Sequence, residues 1–118
     1  MKKVLIVDDA AFVRLRYAAS LKAGGFETEE ATNGAEALSK YKEHRPDAVL
    51  LDINMPVMNG LVTLHEIMNL DPTARVAMVT CIGSQSIVLT ALKTGARDFV
   101  TKPMDDDGLL STVGKLLS

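Results

Sequence analysis

Residues 49–56 read VLLDINMP: an apolar run that stops on a carboxylate, Asp52, ahead of an amide and a Met-Pro turn. Such a run suits a strand covered on both faces. Aspartate is a poor strand residue and costly to bury alone, so its place at the tip needs a reason. Turn chemistry is one, because Asp often opens a turn. Presentation of the carboxylate itself is the other, and the remaining strands bear on the choice.

Working outward, Val4–Val7 is a second continuous apolar run, and it ends in Asp8-Asp9. A helical pattern from about Ala10 to Ala23 is closed by Gly24-Gly25, as glycine closes helices. Phe26 to Ala31 is a weak strand that carries Glu27, Glu29 and Glu30. Asn33 with Glu36 reads as a capping-box start for a helix reaching about His44, and Pro46 then breaks the chain. Ala48–Leu51 is the strand that leads to Asp52. A helix from about Leu61 to Asn69 is closed by Asp71-Pro72, and Arg75–Val79 is a fourth strand. Gln85–Thr94 forms a helix before Gly95, and Asp98–Thr101 is the fifth strand. Asp105–Leu117 is the last helix, weakened by Gly108 and Gly114. Strand then helix, repeated five times, predicts a (βα)5 α/β fold with a parallel, doubly wound sheet. The 118 residues make one domain, 1–118, with one core.

Ligands of such sheets bind beyond the carboxyl ends of the strands. Those ends carry Asp8-Asp9, Asp52, Thr80 and Lys102, whereas the glutamate-bearing second strand ends in Ala31-Thr32. With the uncharged end at the edge, the strand order is 2-1-3-4-5, the flavodoxin-like arrangement. Taken singly, these are a helix cap, a turn residue, a strand-end hydroxyl and a solvated ammonium. Taken together, every central strand contributes, and only at its carboxyl end, which is the pattern of a site.

The chemistry follows from charge. Three carboxylates in one place repel unless one is protonated or a cation binds. Oxygen donors without His or Cys suit a hard divalent ion, and magnesium typically takes one or two carboxylates, waters and a phosphate oxygen. Asp52 then keeps an oxygen free for nucleophilic attack, giving an aspartyl-phosphate. Lys102 offers a compact positive charge and Thr80 a hydroxyl donor. Phosphoryl transfer asks mainly for positioning and charge neutralisation.

VLIVDD, LLDINMPVMNG, the strand-end Thr80 and DFVTKP together resemble a CheY-like response-regulator receiver domain over the whole chain. The resemblance implies that Asp52 is the phosphoacceptor. It implies Mg2+ bound by the side chains of Asp9 and Asp52 and the backbone carbonyl of Asn54, with Asp8 assisting through water. Thr80 and Lys102 would hold the phosphoryl group, and Lys102-Pro103 would be a cis peptide. The donor would be a histidine kinase or a small phosphodonor, and the domain would catalyse only its own phosphorylation and dephosphorylation. Output would pass through the face of helix four, strand five and helix five, switched by Thr80 and Phe99. A stand-alone, monomeric chemotaxis-type regulator is the expected role, with the flagellar motor switch as a target of that kind. A phosphorelay carrier, or a receiver separated from a DNA-binding transcriptional regulator, is the alternative.

The chain departs from the family pattern in places. Phe99 stands where Tyr is common and has no hydroxyl. Met104 replaces a common Phe after Pro103. Cys81 is bulkier than the small residue usual beside the threonine and would narrow access to the phosphate, and its thiol is read as packed and apolar rather than as a redox group. By the resemblance, Asn54 and Ile82 would flank the approach of the water that hydrolyses the aspartyl-phosphate.

Other classes fit poorly. A net charge of -2 with no basic stretch argues against nucleic acid. No apolar run is long enough to span a bilayer, and Met1-Lys2-Lys3 is followed by too few apolar residues for a signal peptide, so the cytoplasm is expected. The single Cys81 allows neither an internal disulfide nor a multi-cysteine zinc site. A phosphatase with an aspartate nucleophile would want an acid where Asn54 stands. A flavin carrier would want a Ser/Thr/Gly loop where Asp8-Asp9-Ala10-Ala11 stands. Asp105-Asp106-Asp107 suits a helix start. His44 and His65 should lie on the surface, and the six methionines should fill core gaps.

A branched apolar side chain at Ile82 cannot hydrogen-bond the hydrolytic water and obstructs its path, so self-dephosphorylation should be slower than with a smaller or polar residue at this position. Ile82→Ala should therefore hasten the first-order decay of phospho-Asp52 after donor removal at constant magnesium, and Ile82→Gln should do so too by orienting the water. Decay unchanged or slower in both variants would remove Ile82 from the gate.

Overall fold

The structure, a computed structural model, describes residues 1–55, 58–81 and 83–118. Strands and helices alternate as β1 (Lys3–Val7), α1 (Ala11–Ala23), β2 (Glu27–Ala31), α2 (Gly34–His44) and β3 (Ala48–Leu51). The second half continues with α3 (Gly60–Leu70), β4 (Val76–Thr80), α4 (Gln85–Thr94), β5 (Asp98–Thr101) and α5 (Asp106–Leu117). The five strands are parallel and ordered β2-β1-β3-β4-β5, as expected from the sequence. The glutamate-bearing β2 is an edge strand, where half-exposed Glu29 and Glu30 avoid a burial they could not sustain.

Side-chain alternation along the strands divides the core in two. Leu5, Val7, Val49, Leu51, Val76 and Met78 face Ala37 and Tyr41 of α2 and Leu64 and Ile67 of α3. Val4, Ile6, Ala48, Leu50, Ala77 and Val79 face Tyr17 and Leu21 of α1 and Leu109, Val113 and Leu116 of α5. Every residue of β1, β3 and β4 other than Lys3 is buried, which explains their unbroken apolar runs.

The helix starts show how local chemistry sets the strand-to-helix turns. The Asn33 side chain accepts the Glu36 N–H at 2.9 Å, while Glu36 Oε1 accepts the Thr32 N–H at 3.1 Å, one residue further back than in a standard capping box. Asn59, Ser84 and Asp105 cap α3, α4 and α5 through their side chains. By contrast, α1 begins at Ala10 without a side-chain cap. The Asp8 carboxylate instead takes the Ala10 N–H at 2.9 Å.

Gly60 draws the start of α3 onto the tip of β3: its N–H donates to the Ile53 carbonyl at 2.9 Å. A Cβ there would run into the Asp52 carbonyl oxygen and the Ile53 Cα, so only glycine allows this approach. The Lys102–Pro103 peptide is cis, as the family resemblance implied.

Some expectations are corrected. Cys81 is exposed rather than packed, because β4 ends one residue earlier and the chain there leaves the sheet. Met55, Met78 and Met104 fill the core, but Met1 is 85% exposed at the chain start. His65 is exposed as expected, whereas His44 is half-buried with its Nε2 3.8 Å from Glu29.

Candidate functional site

Strand parity explains which charges meet. On β1, Val4 and Ile6 face α1 and α5, and Asp8 continues that series past the strand end. Ala48 and Leu50 do the same for Asp52 on β3. Val100 packs on the same side, and Lys102 follows it. The three groups therefore converge above one face of the sheet. Lys102 Nζ lies 2.5 Å from Asp8 Oδ2 and 3.2 Å from Asp52 Oδ2, donating to both. Asp8 and Asp52 are 3% and 6% exposed. Asp9 is exposed, and its carboxylate oxygen comes within 4.8 Å of oxygens of the other two.

Three carboxylates against one ammonium leave a local surplus of negative charge. Burial pushes the Lys102 ammonium down, but the Asp8 hydrogen bond and the charges of Asp52 and Asp8 outweigh it, and its pKa is raised. The pairing thus contributes fully below the unfolded lysine value and is lost only as pH rises through the folded one. The donor set holds only carboxylate oxygens, with neither His nor Cys, and suits a hard divalent cation.

Thr80 is fully buried at the tip of β4, and its carbonyl accepts the Lys102 N–H at 2.9 Å. The register pairs Met78 with Phe99 and Thr80 with Thr101. Thr80 therefore shares a sheet face with Met78 and the half-buried Phe99, the opposite face from Asp52 and Lys102. Asn54 is exposed beside the acids, and its N–H reaches Asp52 Oδ1 at 3.4 Å. Cys81 stands exposed after Thr80. Ile82 lies outside the described residues.

Two residues that sequence reasoning passed over also build the site. Tyr17 of α1 walls a void, too small for a water molecule, beneath Asp8 and Asp52. Burial raises its phenol pKa, and Lys102 opposes that shift. Arg14, also on α1, donates to the Asp8 carbonyl at 2.7 Å. The sequence carried no clear signal for either, because α1 has apolar residues on its outer side as well, with Phe12 and Leu15 exposed.

An acid cluster at the carboxyl ends of a parallel sheet, bridged by one lysine, defines a phosphoacceptor module of two-component signalling. The chain belongs to the response regulator receiver domain family, whose model matches residues 4–114. It is 47% identical over 117 residues to the chemotaxis protein CheY of Bacillus subtilis, covering 98% of both chains. It is 45% identical over 116 residues to the CheY of Thermotoga maritima, covering 98% of this chain and 97% of that one. Among solved structures, it is similar to the CheX-CheY-BeF3-Mg+2 complex from Borrelia burgdorferi, with a TM-score of 0.95 and 38% identity, covering 99% of this chain and 90% of that one. Receiver domains bind Mg2+ at an acidic pocket and act as signalling proteins rather than as classical enzymes. Among the described residues, no helix is long and apolar enough to cross a membrane.

Like charges about 5 Å apart repel by roughly 3 kcal/mol at an effective dielectric near 20, and one ammonium offsets only part of this. Asp52→Asn should therefore stabilise the metal-free protein by about 1 kcal/mol, as functional sites often store such repulsion. Urea unfolding in EDTA measures it. A variant no more stable than the parent would show that the Lys102 attraction outweighs the repulsion.

Proposed function

We propose that the chain is a phosphorylation switch of the chemotaxis type, in which Asp52 accepts a phosphoryl group from a histidine kinase. The observation that supports this most is the Lys102 ammonium shared between Asp8 and Asp52, with Asp9 beside them. Relatives named as chemotaxis proteins match it over nearly their whole length, which supports a chemotaxis role.

Asp52 attacks phosphorus in line with the leaving group. The Asp52 oxygen–phosphorus bond forms as the bond from phosphorus to the donor's imidazole nitrogen, or to the small phosphodonor's oxygen, breaks. Lys102 balances charge on the transferred group, and the Thr80 hydroxyl donates to one of its oxygens. Asp9, Asp52 and the Asn54 carbonyl would hold Mg2+, with Asp8 assisting through water. The ion would supply neutralising charge for the carboxylates and the phosphoryl oxygens. Hydrolysis reverses the state through a water admitted beside Asn54, with Cys81 and Ile82 tuning its access.

Output follows from the shared face of Thr80 and Phe99. When Thr80 moves toward the phosphoryl group it vacates space for the Phe99 ring, shifting a population between two packings. The surface so altered belongs to α4, β5 and α5, where Leu89 and Leu92 stand 48% and 44% exposed and ready for a partner. A chemotaxis target such as the flagellar motor switch fits this role.

Acetyl phosphate with magnesium should add one phosphoryl group, read by intact mass, and Asp52→Asn should abolish it. Stoichiometric labelling of the Asn variant at another residue would sink the assignment. Thr80→Ala should still be labelled yet bind its target with little dependence on phosphorylation, as pull-down with and without donor would show. Unchanged phospho-dependence would break the Thr80–Phe99 link.

A further inference from the structure

We propose that Arg14 is a positioning residue for the acidic site: its guanidinium clips the Asp8–Asp9 peptide to the edge strand β2 and thereby places the Asp9 carboxylate. Arg14 Nη1 donates to the Asp8 carbonyl oxygen at 2.7 Å, and Arg14 Nε donates to Glu30 Oε1 at 3.2 Å. The arginine side chain is only 13% exposed, whereas Glu30 is 41% exposed, so the hold on the Asp8 carbonyl is the sheltered part of the clip.

Asp8 has fastenings of its own. Its N–H donates to the Ala31 carbonyl at 3.1 Å, and its carboxylate takes the Ala10 N–H and the Lys102 ammonium. Asp9 has none of these: its carboxylate is exposed and makes no hydrogen bond among the described residues. A side chain without partners is aimed by its backbone. For Asp9 that means the plane of the preceding peptide, whose carbonyl Arg14 holds. The following peptide is held through the Ala10 N–H, which the Asp8 carboxylate accepts, and Arg14 secures the peptide on the other side of Asp9.

Arg14 would thus act one step behind the metal ligands, as hydrogen-bonding partners of ligands commonly do. A purely electrostatic role predicts the opposite outcome, since a cation beside a divalent ion repels it and its removal would tighten binding. Lysine keeps the charge but cannot supply two N–H groups in a fixed fork. The inference rests on the magnesium reading of the site.

The test is calorimetric titration of Mg2+ into the unphosphorylated full chain, as wild type, Arg14→Gln, Arg14→Lys and Glu30→Gln. A second readout is the magnesium dependence of labelling by acetyl phosphate. Affinity should fall about tenfold in both Arg14 variants, and by less in Glu30→Gln. The half-saturating Mg2+ for labelling should rise by the same factor, with the rate at saturation unchanged. Should the Arg14 variants fail to fold, Glu30→Gln, changed at a half-exposed position, decides alone. Affinity equal to or tighter than wild type overturns the clip, as does a lowered saturating rate with unchanged half-saturation. A wild type that binds no Mg2+ overturns the magnesium reading and the clip together, whereas a binding wild type with equal variants overturns the clip only.

Discussion

One ammonium shared by two buried carboxylates organises this molecule. Lys102 arrives from β5 to meet Asp8 of β1 and Asp52 of β3, partners 94 and 50 residues away along the chain. Without that cation, two carboxylates that are 3% and 6% exposed would face each other with poor solvation. With it, the site folds but stays short of positive charge, because Asp9 adds a third carboxylate at the rim. Attraction for a hard divalent cation follows from this deficit.

The sheet keeps the acid cluster and the Thr80–Phe99 pair on different faces. Asp8, Asp52 and Lys102 continue the strand series packed against α1 and α5. Thr80 continues the series that holds Met78 and Phe99. The two faces meet at the carboxyl ends of β4 and β5, where the Thr80 carbonyl accepts the Lys102 N–H. A movement at the acid site therefore has a short, packed route to the Phe99 ring, and interiors of native density respond to such movement by changing packing rather than by deforming smoothly.

Much of this was legible in the chain, because local rules carry it. The unbroken runs VLIV and AVLL read as buried strands, Asn33 with Glu36 as a helix start, and Gly24-Gly25 as a stop. Strand order also followed, since a chargeless strand end beside a glutamate-rich strand belongs at the edge. Cys81 was misread as a packed thiol because one residue past a strand can turn either way, and only the end of β4 at Thr80 decides it. Tyr17 and Arg14 looked like ordinary helix residues. Their roles depend on what α1 crosses, and Arg14 reaches Glu30, 16 residues on.

The sequence by itself therefore determined the elements, their order in the sheet and the residue types gathered at the strand ends. Periods of two and 3.6 residues, caps and glycines act over a few neighbours and leave a readable trace. Tertiary structure alone decided which oxygens touch Lys102, which face Thr80 shares with Phe99, and how Arg14 grips the peptide before Asp9. These depend on register between strands and on the placement of α1 against the sheet. A contact between distant residues is set by the packing of everything between them, which no local pattern records.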